Sequence, residues 1–332
     1  MLSTALNSKK VMITGGMGFI GHNLVKSLIE RFDCSVVVVD DCCNSSSDVL
    51  SDYMHKIVFF NTDVLNIEDY SEHMDDSDYI FHFACSPITV SGENPEHDLN
   101  VNALSTLRIL NYLKDNNPAK LKRFVVASSS SVYGNMDGCD IPFNEEVSPK
   151  IVSNYAATKL LSEHYTLMYA EKYKIPVTIL RYSNVYGYGQ SFDKEHCGVL
   201  GRFIHRALTG SSLEVFGNGR QTRDYTFIED AVNATILSSI SDEAVNEIFN
   251  ISTGHEVSIN KLISILKLHL PDLMVEEHPE REIDNIKRRA VSPEKAKQQL
   301  NWSPAVDIED GIKLTVHWYK KYMNGINNIQ NN

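Results

Sequence analysis

The apolar residues of this chain gather into short unbroken runs separated by stretches with helical spacing. "KVMIT" (10–14), "SVVVVD" (35–40), "DYIFHFA" (78–84), "RFVVASSS" (123–130) and "PVTILRYSN" (176–184) show no polar alternation. That is the pattern of strands buried on both faces. Between them, segments such as "NLVKSLIERF" (23–32) repeat apolar residues every three or four positions, as an amphipathic helix does. The alternation predicts an α/β fold with a doubly wound parallel sheet. The second half is less regular. "LEVFGNGRQTRDYTFIED" (213–230) carries a glycine turn, and "KLISILKLHL" (261–270) reads as a helix stopped by Pro271. The expected division is a first domain over 1–180, to which a segment near 223–250 returns, and a smaller α/β substrate domain over 181–332.

Composition narrows the partners. The chain has 332 residues, 42% of them hydrophobic, and a net charge of −12. An acidic surface argues against nucleic acid or an anionic membrane, which require basic surfaces, and leaves a small nucleotide ligand open. "MLSTALNSKK" lacks the apolar core of a secretion signal, and no apolar run approaches the roughly 18 residues that span a bilayer. A cytoplasmic protein is expected. Six cysteines, at 34, 42, 43, 85, 139 and 197, have no paired spacing, so plain thiols are expected and no metal site.

"TGGMGFIGHNLV" places Gly15, Gly18 and Gly21 between a strand and a helix, with Phe19 and Ile20 inside the turn. Glycines there let backbone amides approach a pyrophosphate at the helix N-terminus, the Rossmann arrangement. Asp40 ends the next strand, 19 residues after Gly21. An acid at that point accepts hydrogen bonds from ribose hydroxyls and repels a 2′-phosphate, which favours NAD over NADP. Asp63 and Val64 in "NTDVLN" follow another strand, where the aspartate either meets the adenine or is an ordinary loop residue.

"NYAATK" sets Tyr155 and Lys159 four residues apart on one helix face. A phenol ionises near pH 10 and serves as a base at neutral pH only when a nearby cation stabilises the phenolate. Taken alone, such a pair is also a common surface feature.

The glycine turn, Asp40, "HFA", "SSSSVYG", "YAATK" and "LRYSNVYG" occur in one order. In that order the chain resembles the extended short-chain dehydrogenase/reductases of the nucleotide-sugar epimerase/dehydratase family. The resemblance extends through "GNGRQTRDYTFIEDA" and "LNWSPAVDIEDGI". It implies that Ser129 holds the reacting oxygen of a sugar, that Tyr155 removes its proton, and that Lys159 also holds the nicotinamide ribose. It further implies cofactor contacts at Asn44, Ala84 and Asn102, and substrate contacts at Ser130, Asn184, Arg223, Arg281 and Arg289. Arg281 in "REID" and the run Lys287-Arg288-Arg289 compete for one pyrophosphate contact, and an arginine at the sugar end would suit a uronate.

The fate of the oxidised sugar separates the members of the family. Dehydratases and decarboxylases carry carboxylic acids at the positions held here by Ser130 and Ser131, and a hydroxyl cannot shuttle protons as a carboxyl does. The resemblance therefore implies an NAD-dependent epimerase acting on a nucleotide-activated sugar, most simply a UDP-hexose at carbon 4, and a homodimer. Dehydratase, decarboxylase and ketoreductase activities are the alternatives, and a non-catalytic nucleotide-binding scaffold is the reading from another class. "HFACSP" departs from the most familiar galactose epimerases in having Pro87 near the place of a lysine.

Overall fold

The computed structural model of the protein describes residues 5–135, 140–191, 198–280 and 286–330, the side chains of 324–330 excepted. Six strands form through the first half: β1 (Lys10–Thr14), β2 (Ser35–Val39), β3 (Ile57–Phe60), β4 (Tyr79–His82), β5 (Arg123–Ser129) and β6 (Val177–Tyr182). Shorter strands follow as β7 (Asn184–Tyr186), β8 (Leu213–Phe216), β9 (Thr222–Arg223) and β10 (Tyr225–Phe227), then β11 (Glu247–Ile251), β12 (Val257–Ser258) and β13 (Val275–His278). Seven of them make one sheet in the order β11-β6-β5-β4-β1-β2-β3, with every pair parallel. The order reverses between β1 and β4, so helices cover both faces, as in a Rossmann fold.

The unbroken apolar runs are explained by these two covered faces. Successive strand residues point to opposite sides. Val36 and Val38 therefore enter one core with Ile13, Leu24 and Leu28, while Val37 and Val39 enter another with Met12, Ile80 and Ile109. Helices α1 (Phe19–Phe32), α2 (Pro95–Leu99), α3 (Ser105–Asn116) and α4 (Asn154–Tyr173) belong to the first half; α5 (Val199–Leu208), α6 (Ile228–Ile240), α7 (Ile259–His269), α8 (Glu294–Leu300) and α9 (Ile308–Gln330) follow. α1 and α6 pack on one face, and α3 and α4 against each other on the opposite one. Arg123, itself buried, donates to the carbonyls of Ser238 (3.1 Å) and Ser241 (2.9 Å) at the end of α6, fastening that helix to β5.

Two details bear on the site. A π-helical turn over Asn100–Leu104 separates α2 from α3. Strand β5 extends to Ser129, which still pairs with Tyr182 of β6.

The remaining strands form three small pairs: β7 with β10, β8 with β13, and β9 antiparallel to β12. A third apolar cluster of Val132, Tyr133, Phe143 and Val291 joins the turn after β5 to the C-terminal segment. The Phe143 amide donates to the Ala290 carbonyl (3.1 Å), and the Ser292 amide to the Phe143 carbonyl (2.7 Å).

Ile179 on β6 is fully buried, whereas Leu268 near the end of α7 is 74% exposed. Ile179→Ala is expected to cost about 2–5 kcal/mol and Leu268→Ser within about 0.5 kcal/mol, measured by chemical denaturation. Equal losses from the two would contradict the described core.

Candidate active site

A cavity of about 380 Å³ opens at the carboxyl ends of the sheet strands. Gly15 follows β1, Asp40 follows β2, Asp63 follows β3, Ala84 follows β4 and Ser129 closes β5, and all line it. Gly18, Phe19, Ile20 and Gly21 from the start of α1, Asn44, Val64, and Tyr155 and Lys159 from α4 complete the set of anticipated residues found there.

The glycine turn is packed too closely for side chains. A Cβ on Gly15, whose φ is +72°, would lie 2.5 Å from the Ala84 amide nitrogen, and one on Gly21 would lie 2.1 Å from the Gly15 carbonyl. Gly18 caps α1 without any side-chain hydrogen bond, and the first turn holds no acid. The helix N-terminus thus keeps its amides and partial positive charge for a phosphate. Asp40 is fixed beside it: Oδ2 accepts from the Met17 amide (2.9 Å), and Oδ1 from the Cys42 amide (2.9 Å) and Ser45 hydroxyl (2.9 Å). Asp63 accepts from the Leu65 amide (2.8 Å), and the Asn44 amide group rests on the Cys43 sulfur (3.4 Å).

At the other end, Ser153, two residues before Tyr155, caps α4 by accepting from the Ala156 amide. The Lys159 ammonium donates to the Ala127 carbonyl (3.0 Å) and lies 5.9 Å from the centre of the Tyr155 ring. Burial pushes the Tyr155 phenol above its ordinary value, and Cys85 and Asp98 push it further; the Ser129 hydrogen bond and the Arg289 charge act in the opposite direction. The Ser129 hydroxyl oxygen accepts from the Ser131 amide (3.1 Å), so its proton remains available to donate.

Other anticipated residues lie outside the cavity wall. Asn102 is buried behind it: its Oδ1 accepts from the Ser86 amide (2.9 Å), and its Nδ2 donates to Asp98 (2.6 Å) and Thr158 (3.3 Å). Ser130 is buried in the turn after β5, and Asn184 is exposed on β7. Arg223 donates to the Ile286 carbonyl (2.7 Å), which draws β9 to the segment carrying Arg289. Arg289 is only 6% exposed. Arg288, 51% exposed, is paired through two hydrogen bonds with Glu256 (2.7 and 3.1 Å). Arg281 falls outside the described residues, as do Cys139 and Cys197. Cys34, Cys43 and Cys85 are free thiols, and no group of metal-ligating side chains occurs among the described residues.

The wall also contains Cys85 and Pro87, and residues that sequence patterns did not single out: His97, Val101, Tyr182 and Ser183. Tyr182 and Ser183 stand in the same "RYSN" run as Asn184, so their signal was present but assigned to a neighbour. His97 and Val101 come from opposite sides of the α2–π boundary, which no local pattern marks.

The model of the NAD dependent epimerase/dehydratase family matches residues 11–252. The chain belongs to that family. A UDP-N-acetyl-alpha-D-glucosaminuronate decarboxylase of Bacillus cytotoxicus is 33% identical over 95% of this chain and 99% of its own length. A UDP-glucuronate 4-epimerase of Thermodesulfobacterium geofontis is 30% identical over 96% and 98%. Among solved structures, the UDP-glucose 4-epimerase of Thermotoga maritima with UDP-glucose superposes with a TM-score of 0.87 at 31% identity, covering 95% of this chain and 99% of that one.

The cofactor of an NAD-dependent family fits what is here: a close-packed glycine turn at a helix N-terminus with no side-chain cap, beside a fixed carboxylate. Gly21→Ala should lower NAD affinity at least roughly tenfold, about 1.4 kcal/mol. NAD released from the purified protein, and the shift of its melting temperature with added NAD, would measure the change. Undiminished retention would contradict the cradle.

Proposed function

We propose that the protein is an NAD-dependent epimerase of a nucleotide-activated sugar, acting through transient oxidation at carbon 4 of a UDP-hexose. The observation that carries the reading is the convergence of Ser129, Tyr155 and Lys159 on the cavity that begins at the glycine turn and Asp40. Bound NAD supplies the acceptor and later the donor of the hydride. Ser129 holds the sugar's reacting oxygen by donating its hydroxyl proton, and Tyr155 takes the proton from that oxygen and returns it. Lys159 keeps a positive charge beside the Tyr155 ring and offers donors to the nicotinamide ribose. Asp40 and Asn44 hold the adenosine ribose, with Asp63, Val64 and Ala84 lining the adenine and Asn102 bracing the wall from behind.

Ser130 and Ser131 favour epimerisation over elimination. The carboxylates in the wall, Asp40, Asp41 and Asp63, all follow β2 and β3, away from Tyr155. Among the described residues of the wall, none beside Ser129 and Tyr155 is a carboxylic acid. Asn184, Arg223, Ser130 and Arg289 are assigned to the substrate, with Arg281 as the alternative to Arg289. Arg288 is already committed to Glu256, whereas Arg289 is close enough to Tyr155 to act on its ionisation. A guanidinium at that place suits a pyrophosphate or the carboxylate of a uronate, because it presents paired donors at fixed geometry. The substrate panel therefore includes uronates, and pentose formation would mark the decarboxylase alternative.

A homodimer belongs to this reading. Leu161 and Met168 lie seven positions apart on the outer face of α4, at 37% and 48% exposure. They form part of an apolar stripe that a second copy would cover. Met168→Glu should shift the species seen by light scattering from dimer to monomer, and a monomeric parent protein would sink this assignment. A cytoplasmic location is proposed with it, since free thiols suit a reducing compartment.

The reaction is tested by incubating the NAD-loaded protein with UDP-hexoses, UDP-hexuronates and their N-acetyl counterparts and reading the products by NMR. A 4-epimer is expected. Tyr155→Phe should retain NAD and lower turnover by about 10²–10⁴. Normal turnover by that variant would overturn the mechanism.

A further inference from the structure

Helix α4 meets the end of β5 at three consecutive strand residues. Tyr155 interacts with Ser129, Lys159 donates to the Ala127 carbonyl (3.0 Å), and Glu163 accepts a hydrogen bond from the Ser128 hydroxyl (2.5 Å). Four-residue spacing puts Tyr155, Lys159 and Glu163 on one helix face. Glu163 is gripped from its other side by Arg181 of β6, whose Nε and Nη2 donate to the two carboxylate oxygens at 2.9 and 2.7 Å. Arg181 Nη1 donates to the Tyr133 hydroxyl (2.8 Å), which in turn donates to Asn250 (2.8 Å). The side chains of Arg181 and Glu163 are 4% and 2% exposed, and neither lines the cavity.

A buried ion pair is weak evidence for stability, because desolvating both charges offsets most of their attraction. Its consequence here is geometric. Ser128 is tied to a rigid, doubly hydrogen-bonded carboxylate, and the residue after it is the hydroxyl that meets Tyr155. Ser129 has extended backbone (φ −145°, ψ 146°) and caps the turn that follows, so a rotation at Ser128 passes directly to it.

We propose that Glu163, held by Arg181, is a positioning residue for the reaction: through Ser128 it fixes the end of β5 so that the Ser129 hydroxyl meets Tyr155. The inference rests on the reading of Ser129 and Tyr155 given under Proposed function. Tyr155 is faced by Lys159 on its own helix, Cys85 from the loop after β4, Asp98 from α2 and Arg289 from the C-terminal segment. Ser128 itself lines the cavity, and of these contacts the Ser129 hydrogen bond, which favours the phenolate, comes from the residue that follows it.

Ser128→Ala removes the link and leaves the ion pair intact. In the NAD-loaded protein it should fold, keep its NAD, and lower kcat about tenfold with KM within about twofold. Ionisation of Tyr155, followed by difference absorbance against Tyr155→Phe, should move upward by roughly half a pH unit or more. A second variant, Glu163→Leu with Arg181→Met, exchanges the pair for apolar groups. It should keep the melting temperature while turnover stays low. Parental kcat and an unmoved titration in Ser128→Ala overturn the proposal, as does full turnover in the double variant. If the double variant does not fold, Ser128→Ala decides alone. A parent protein that converts no nucleotide sugar removes the proposed function, while the Tyr155 titration still decides the positioning role.

Discussion

A helix that buries polar side chains must find a partner for each one, and α4 does so in a single placement. Beside Ala156, Tyr169 and Ala170, its buried residues are Thr158, Lys159, Ser162, Glu163 and Thr166 rather than a leucine stripe. Thr158 donates to Asp98 (2.8 Å), Ser162 meets Thr106 (2.9 Å), and Glu163 holds Arg181. An orphaned group at any of these points would cost about 1–3 kcal/mol, so sliding or rotating the helix is penalised several times over. The network continues to β1. His82 bonds Thr14 through Nδ1 (2.7 Å) and Thr106 through Nε2 (3.0 Å). Burial and the nearby Lys159 lower its pKa to about 3, so the ring is neutral and joins two hydroxyls as donor and acceptor. Apolar packing alone would allow α4 small shifts. The polar face fixes where Tyr155 projects.

The cavity follows from the sheet. Parallel strands end on one side, and the reversal of order between β1 and β4 leaves a gap there that no crossover helix fills. The turn after β1 and the residues after β2 and β3 face one half of that gap, and the end of β5 with α4 faces the other. A nucleotide and a reacting group can therefore occupy one continuous space while being held by unrelated segments. The small cluster of Val132, Tyr133, Phe143 and Val291 brings a third segment to it, because the backbone bonds of Phe143 hold 290–292 against the turn that follows Ser129. That is how Arg289, 160 residues from Ser129 in sequence, comes to influence Tyr155.

What could be read from the sequence was what is local in the structure. Gly15, Gly18 and Gly21 lie within one turn, Asp40 follows at the end of the next strand, and Tyr155 and Lys159 occupy one helix face; each pattern is complete within a short window. Asn102 was legible as a feature but not as a part, because its partners Ser86, Asp98 and Thr158 come from three elements, the last 56 residues away. Glu163 looks like an ordinary helix-surface charge in sequence, and Arg181, although inside a buried run, gives no local sign of the partner it takes. Arg288 and Arg289 are adjacent and chemically identical, yet one is bound to Glu256 at the surface and the other is enclosed. Only the fold of the C-terminal segment separates them.

The serine run after β5 shows how a missing group can constrain chemistry. Ser130 and Ser131 are both buried, in a turn that begins two residues from Glu163's partner Ser128 and leads into the cluster around Tyr133. A carboxylate at either position would be buried. Burial without a charged partner raises a carboxyl's pKa. Such a raised pKa is what a general acid for elimination requires, so the turn is suited to that role, and in this chain hydroxyls occupy it. Under the proposed reading the keto sugar meets no carboxylic acid from that turn, and a phenol returns its proton. Reduction on the opposite face is then the outcome that needs no group the site lacks.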